Sequence, residues 1–514
     1  MKSHGPDKSI QNASIETAAR PKSNVCLSLI MDIQSIPKIE EEPKLMSDTN
    51  FDCDVLVIGA GPGGYVAAIR AAQLGGKVVC VEKEFLGGTC LNWGCIPSKA
   101  MIANTEAYLQ AQHASDFGVN ISGDIKFDFT KMMERKQKVV ETLRGGVGAL
   151  FKKNGVRQVQ GTASLKDAHT VVVTGSNGTE EIKAKNIILA TGAAAVKFPV
   201  KGMEDGLNLW TSNDAVSATA VPKSMLIIGG GAVGLEFAWI YNGLGSKVTV
   251  VELLDRVLPL ADQDISKEID RILTKQGIKL LPGSQVDKVE KKGKLNIANI
   301  TTPKGPIEVE CEIVLLGVGR RAVTEGLNLE GVGVETYNKG VVVKNDKMQT
   351  SVPSIYVVGD LTGAQQLAHV ASMEGIVAAS NAMGHARKMD YRVVPNCVYT
   401  VPEVATVGLT EEEARAQGYD VKVGKYQFRA LGRSIAANER DGIVKVVADR
   451  KYDELLGVHI IGPHATDLIH EAVTAIKLEA TVDYMTDTIH AHPTFAEALL
   501  EAYEDIHDEA IHKA

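Results

Sequence analysis

Cys90 and Cys95 stand five residues apart in Gly87-Gly-Thr-Cys90-Leu-Asn-Trp-Gly-Cys95-Ile-Pro-Ser-Lys99. Two thiols this close can carry an electron pair by making and breaking one disulfide. On a regular helix, residues five apart are roughly 8.5 Å apart at Cα. A disulfide usually needs less than about 7 Å. Bridging the pair therefore requires a distorted helix or a loop running into one. Gly94 and Pro97 supply the backbone freedom and the break. Two plain free thiols are the alternative, and a zinc site lacks a second nearby ligand pair. Lys99 follows on the same segment, where an ammonium could stabilise negative charge on a reduced cofactor; in most contexts such a lysine is simply solvated.

A second chemical cluster lies near the C-terminus, in His490-Ala-His492-Pro493-Thr-Phe-Ala-Glu497. Pro493 suits a first helical turn and forces His492 out of helical geometry, so this segment is expected to open the C-terminal helix. A carboxylate from Glu497 on one ring nitrogen would leave the other free as a base. A capping histidine is the bland alternative. Metal binding by the His-x-His pair lacks companion ligands.

Such groups need elements to position them, and two segments share one design. Val55–Ile58 is a short apolar run followed by Gly59-Ala-Gly61-Pro-Gly-Gly64, a helical pattern over Tyr65–Leu74, and a second strand, Val78–Val81, ending in Glu82. In this arrangement the first glycine makes the turn, the second admits a pyrophosphate and the third lets helix pack on strand. Glu82 would accept ribose hydroxyls. The pattern recurs in Met225–Ile228, Gly229-Gly-Gly231-Ala-Val-Gly234, a helix from Leu235, and Lys247–Val251 ending in Glu252. Two such units imply two dinucleotides, or a duplicated domain for a flavin and a nicotinamide. Glu252 favours NAD over NADP, because a carboxylate repels a 2′-phosphate; Arg256 close by weakens that inference. Asn186–Gly192, Ile313–Gly319 and Ser354–Asp360 read as further strands ending in Gly turns, and Asp360 could meet a ribityl chain.

The 514 residues exceed one compact domain and imply two to four. Hydrophobic residues at 45% and charged residues at 23% are ordinary for a soluble globular protein, while 5% aromatics make the core mostly aliphatic. The net charge of −8 offers no footprint for nucleic acid or anionic membrane. No apolar stretch reaches the roughly 18 residues of a membrane span. Seven cysteines, five of them scattered singly, do not form a secreted disulfide framework.

Residues 1–50 mix Lys, Ser, Glu and Pro without a hydrophobic period and read as a flexible extension. Arg20 is their only arginine, unlike an Arg-rich transit peptide, so a bacterial cytoplasmic location is expected over an organellar matrix. Met46 looks like a natural start, with residues 1–45 dispensable for catalysis.

Taken together, Gly59–Gly64, Glu82, Gly87–Lys99, Ala190–Gly192, Gly229–Gly234, Gly359–Asp360, Leu367–His369, Tyr399–Ala405 and His490–Glu497 resemble the pyridine nucleotide–disulfide oxidoreductases, and within them the dihydrolipoamide dehydrogenases. The resemblance covers nearly everything from residue 51 onward. It implies an α/β fold with two Rossmann-like dinucleotide-binding domains and an α+β C-terminal dimerisation domain. The implied parts are an FAD domain over 51–195, an NAD domain over 196–321, a segment over 322–392 completing the FAD domain, and an interface domain over 393–514.

The resemblance also implies roles. Gly59, Gly61, Gly64, Glu82, Gly88, Thr89, Lys99, Ala163, Thr191, Gly192, Asp360, Leu367, Ala368 and His369 would bind FAD. Gly229, Gly231, Ala232, Val233, Gly234, Glu236, Glu252 and Gly319 would serve NAD. Cys90 would exchange with a substrate dithiol, Cys95 would face the flavin, and Lys99 would pair with Glu236. His492 of the partner subunit, oriented by Glu497, would take the thiol proton in a homodimer, with a cis peptide before Pro493. No metal is implied. Expected partners are a lipoyl-bearing protein, the acyltransferase core of a 2-oxo acid dehydrogenase complex, or a glycine cleavage carrier.

Among rivals, glutathione reductases usually use NADP, and mercuric reductases carry a C-terminal cysteine pair where this chain ends Ile-His-Lys-Ala. A mainly docking role in a multienzyme complex is the reading from another class. Trp93 departs from the small aliphatic residue common inside the motif, and Arg321-Ala-Val-Thr-Glu lacks the Pro-Asn often found there.

Overall fold

The computed structural model describes residues 51–513 apart from 177, 197–200, 202–206 and 339. The proposed extension and the Met46 start lie outside the described residues. Strand β1 (Cys53–Ile58) leads into α1 (Pro62–Gln73) and back to β2 (Val78–Glu82). Both strands are almost wholly buried, as expected for parallel strands covered on two faces. The chain continues through α2 (Gly88–Asn92), α3 (Cys95–Gln112) and α4 (Phe129–Lys153) to β3 (Arg157–Gln160), β4 (Thr162–Leu165), β5 (Thr170–Gly175) and β6 (Gly178–Leu189). Strand order in the first sheet is β3-β2-β1-β6-β5-β4. The long β6 pairs antiparallel with β5 along its first half and parallel with β1 along its second, so its end at Leu189 arrives beside Ile58.

Strand β7 (Ala193–Ala195) leaves this sheet, and after β8 (Leu209–Trp210) and α5 (Ser212–Ala215) a second unit begins. It runs β9 (Ser224–Ile228), α6 (Ala232–Gly243), β10 (Lys247–Val251), α7 (Gln263–Lys275) and β11 (Lys279–Leu281). An antiparallel meander follows, β12 (Gln285–Lys292), β13 (Leu295–Thr302) and β14 (Gly305–Cys311), before β15 (Ile313–Leu316). The parallel sheet has the order β11-β10-β9-β15-β8. β16 (Arg320–Ala322) then pairs antiparallel with β7, so the chain returns along the strand by which it left.

After a short ribbon, β17 (Thr336–Tyr337) with β18 (Val341–Val342), strand β19 (Ile355–Val357) joins the first sheet beside β6. Helix α8 (Ala368–Ala382) packs on α1 through glycine: a Cβ on Gly375 would lie 2.4 Å from the Gly63 carbonyl oxygen. The last portion is an antiparallel sheet ordered β20-β21-β24-β23-β22. It comprises β20 (Asn396–Val398), β21 (Glu403–Gly408), α9 (Glu411–Ala416), β22 (Val421–Gln427), α10 (Gly432–Ala437), β23 (Ile443–Asp449) and β24 (Leu455–Gly462). Helices α11 (Ala465–Lys477), α12 (Val482–Thr486) and α13 (Glu497–Glu504) close it. Its own aliphatic core, with Val444, Val446, Val458 and Ile460 fully buried, is ringed by Tyr503 and Phe428.

Candidate active site

The first Gly-rich turn is held by sterics that only glycine meets. Gly59 sits at φ 100, and a Cβ there would lie 2.4 Å from the Ala190 carbonyl oxygen. A Cβ on Gly64 would come within 1.9 Å of the Gly59 oxygen, so α1 packs directly on the turn. The carboxylate of Glu82 accepts the Ala60 N–H at 2.8 Å and the Glu84 N–H at 2.8 Å, pinning the end of β2 across the turn. Gly161 donates its N–H to the Glu82 carbonyl, which brings the start of β4, with the buried Ala163, to the same end of the sheet.

The cysteine segment lies over this turn. Gly87 donates to the Ala60 carbonyl at 2.8 Å, and a Cβ on Gly88 would meet the Gly61 Cα at 2.6 Å. Cys90 rides on α2, Cys95 opens α3, and the helix breaks between them at Trp93 and Gly94. Gly94 is needed for closeness: its Cβ would stand 3.1 Å from the Thr89 oxygen. The distorted helix required for a Cys90–Cys95 bridge is therefore present. The Cys90 and Cys95 sulfurs are not joined here, and a side-chain hydrogen bond between them is the leading influence on the acidity of each.

That bond separates their acidities. It lowers Cys95 from 9.0 to about 7 against the opposing effect of burial, with help from the Lys99 charge. The same bond, together with burial, pushes Cys90 far up. Cys95 is thus the more acidic thiol of the pair and Cys90 the less acidic.

Lys99, one turn along α3, pairs with Glu236 at 2.8 Å and 3.0 Å. Glu236 belongs to α6, the helix that follows the second Gly-rich turn, so this ion pair ties the cysteine helix to the second nucleotide unit. Sequence reasoning gave no role to Tyr399, although it fixes the pair. Its N–H donates to Glu236 at 3.1 Å and its ring lies 4.2 Å from Lys99 Nζ.

Asp360 and Thr89 converge on Arg320. Arg320 Nε is 3.6 Å from the Asp360 carboxylate, and the guanidinium also donates to Thr89 at 3.3 Å and to the Ala193 carbonyl. Burial raises Asp360, and Arg320 opposes it. Thr191 donates to the Val323 carbonyl at 2.6 Å, and Gly192 takes φ 71. Leu367 caps α8 and Ala368 is its first residue, where a helix leaves N–H groups without intrahelical acceptors. His369 bonds the Pro395 carbonyl at 2.9 Å, its pKa lowered by burial. The buried Glu374 is a further residue not foreseen. It accepts the Gly359 N–H at 2.6 Å and the Tyr391 hydroxyl, bracing the Gly359–Asp360 turn from below.

The second turn repeats the first. Gly229 sits at φ 108, and the Glu252 carboxylate accepts the N–H groups of Gly230 at 2.6 Å and Leu254 at 2.9 Å. Ala232, Val233 and Gly234 form the first turn of α6, and Gly319, at φ 102, follows β15. Arg256 does not approach Glu252 as a partner; it forms an ion pair with Glu412 at 2.8 Å.

His492 precedes a cis bond to Pro493 and places Nδ1 2.8 Å from Glu497. The second Glu497 oxygen accepts the Thr494 N–H at 2.8 Å. Burial alone would raise Glu497, but these bonds hold it below the usual carboxylate range. The expected helix start is corrected here: α13 begins at Glu497, not at Pro493. Thr494 explains it, since its N–H goes to Glu497 and its hydroxyl to the Ala491 carbonyl, a turn in place of a helical ladder. His490 turns to Glu471 at 3.1 Å, so the two histidines do not share a ligand. The His492 side chain is 78% exposed and, among the described residues, bonds neither cysteine.

The family described as pyridine nucleotide-disulphide oxidoreductase matches residues 53–375, and its dimerisation domain matches residues 394–503. The dihydrolipoyl dehydrogenase of Bacillus subtilis is 43% identical over 472 residues, covering 89% of this chain and 99% of that protein. That of Manduca sexta is 44% identical over 461 residues, covering 88% of this chain and 92% of its own. The solved structure of the HOCl-induced flavoprotein disulfide reductase RclA from Escherichia coli superposes with a TM-score of 0.79 at 26% identity, over 88% of this chain and 99% of that one. With a cysteine pair set between two dinucleotide turns and these relatives spanning nearly all of the described fold, the chain belongs to the pyridine nucleotide-disulphide oxidoreductase family, alongside the dihydrolipoyl dehydrogenases.

Proposed function

We propose that the protein oxidises dihydrolipoamide to lipoamide with NAD⁺, through a Cys90–Cys95 disulfide and FAD. One observation carries this reading. The cysteine pair packs on the first Gly-rich turn through Gly88 and is joined to the helix of the second by the Lys99–Glu236 pair. FAD, when bound at the first turn, supplies a two-electron relay between the dithiol and NAD⁺. Asp360, Thr191, Gly192, Glu82 and the N-terminus of α8 at Ala368 are the groups that would hold it. The buried carboxylate of Asp360, raised by desolvation, suits hydroxyl partners.

In the oxidised enzyme, a substrate thiolate attacks Cys90, the Cys90–Cys95 bond breaks, and Cys95 leaves as thiolate. The Lys99 charge, which favours the Cys95 thiolate, makes Cys95 the better leaving group. The second substrate thiol then attacks the mixed disulfide, releasing lipoamide and leaving Cys90 reduced. His492 of the partner subunit takes the proton, its ring oriented by Glu497. The exposed His492, which among the described residues bonds neither Cys90 nor Cys95, supports a homodimeric site. We assign 51–195 and 322–392 to FAD, 196–321 to NAD and 393–514 to dimerisation.

The lipoyl-bearing partner is a 2-oxo acid dehydrogenase core or a glycine cleavage carrier, and the likeness to a bacterial dihydrolipoyl dehydrogenase supports a bacterial cytoplasmic setting, where dithiol oxidation would take part in redox homeostasis. The test is NADH formation from dihydrolipoamide, compared with NADPH-driven reduction of oxidised glutathione. Turnover of dihydrolipoamide that vanishes in Cys95→Ser is the expected result. Preference for glutathione and NADPH would overturn the assignment.

A further inference from the structure

The loop after Glu252 is pinned from outside its own nucleotide unit. Arg256 presents both terminal nitrogens to Glu412, at 2.8 Å and 3.3 Å, and one of them also reaches the Pro259 carbonyl at 3.5 Å. Glu412 stands in the first turn of α9, in the dimerisation portion of the chain. Its neighbour Glu411 holds the far end of the same loop. The Glu411 N–H donates to Asp262 at 3.2 Å, and its carboxylate meets Lys445 at 2.8 Å. Lys445, only 2% exposed at its side chain, also pairs with Asp262 at 2.8 Å and Asp264 at 2.7 Å. Burial alone would lower the Lys445 ammonium, but three carboxylates hold it above its ordinary range. Between these anchors Leu258 is kept at φ 46, a conformation unusual for leucine, with its N–H on the Gly230 carbonyl at 2.9 Å.

The anchoring bears on nucleotide choice. An arginine a few residues past the acid of such a turn is the residue type that accommodates a 2′-phosphate. Its planar fork suits a phosphate in two simultaneous bonds, and the same fork is here spent on a carboxylate. We infer that Glu412 is a specificity-determining residue. It withholds the Arg256 guanidinium from the adenosine ribose, so the preference for NAD over NADP is set partly by the dimerisation domain. Glu252 repels the phosphate directly; Glu412 removes the cation that would offset the repulsion.

The inference rests on reading the Gly229–Gly234 turn as an NAD site. The flavin-loaded dimer is titrated with NAD⁺ and with NADP⁺, as parent, Glu412→Gln, Arg256→Gln and the double variant. Glu412 is 49% exposed, so Glu412→Gln leaves the fold intact; Arg256 is 26% exposed, and flavin content checks the fold of its variants. Glu412→Gln is expected to raise NADP⁺ affinity relative to NAD⁺ about fivefold, the upper range for an exposed ion pair. The gain should shrink in high salt and disappear in the double variant. A rise below twofold, or one that survives loss of Arg256, overturns the inference while leaving the NAD reading in place. A parent that binds both nucleotides equally overturns the NAD reading itself, and the inference with it.

Discussion

The two Gly-rich turns are nearly superposable in chemistry and opposite in surroundings. Each begins with a glycine at φ near 100, each carries a helix whose glycine would strike the first one's carbonyl at about 2 Å, and each is closed by a glutamate accepting two backbone N–H groups. Over the first lie Gly87 and Gly88, and α8 against Gly63. Over the second, Gly231 has open space, while Val233, Leu253 and Leu254 are 44%, 66% and 52% exposed. In the proposed reading each turn would supply affinity for a dinucleotide. What covers it would then decide residence: an enclosed ligand would stay, and an open one would exchange each turnover.

The harshest way to break that comparison is to fill the helix–turn contact. Gly64→Ala and Gly234→Ala would each place a methyl about 2 Å from a carbonyl oxygen, costing on the order of 3 kcal/mol locally. The first is expected to purify without flavin. The second should keep its flavin absorbance and lose NAD⁺ binding, both read by titration. A Gly234→Ala protein that also shed flavin would show that the two units are not independent.

Next in size is the bridge between them. Reduced enzyme should alkylate at Cys95 with a rate rising through about pH 7, since a thiolate held low is present above its pKa and lost below it. Removing the ammonium in Lys99→Met moves that profile upward, slowing alkylation at pH 7 severalfold. An unmoved profile would leave the Cys90 hydrogen bond as the sole cause.

Milder still are Gly61→Ala and Gly231→Ala. Both sit at ordinary φ, −70 and −78, and neither Cβ would meet an atom closer than 3.9 Å, so the fold is untouched. Only a pyrophosphate would feel the methyl. We expect Gly231→Ala to raise KM for NAD⁺ about tenfold, ~1.4 kcal/mol, with flavin retained, and Gly61→Ala to speed flavin release instead.

The smallest effect concerns a cover present over the first turn. Trp93 meets Phe85 at 6.0 Å with the rings tilted by 52°, and Arg144 lies 3.9 Å above the Phe85 ring while donating to Asn92 between the cysteines. Trp93→Val should cost about 1 kcal/mol, seen as an earlier flavin-release midpoint in urea. An unchanged midpoint would mean the ring packs without bracing the cysteine turn.

Local rules explain what could be read early. Strand, turn, helix and acid fall within some two dozen residues of each other, and so do the two cysteines with Gly94, so their geometry follows from periodicity and glycine sterics. Glu374 gave no such signal. A carboxylate within a helical stretch reads as solvated, and only the arrival of Gly359, Thr362 and Tyr391 makes it a buried brace. The start of α13 was misplaced because the preference of Pro493 for a first turn ignored the Thr494 bonds to Glu497 and Ala491. Arg256 looked like a mild argument for NADP because its partner lies 156 residues away.

Sequence alone thus determined two Gly-rich strand–turn–helix units, a cysteine pair at a helix break and a histidine–glutamate couple, since each depends on backbone sterics and hydrogen bonds spanning a few residues. The tertiary structure decided which turn is covered, that Glu374 braces the Gly359–Asp360 turn, and that Arg256 turns to Glu412. Those are choices among charged partners, and charges bond only within a few ångströms, a proximity that packing of distant segments alone creates.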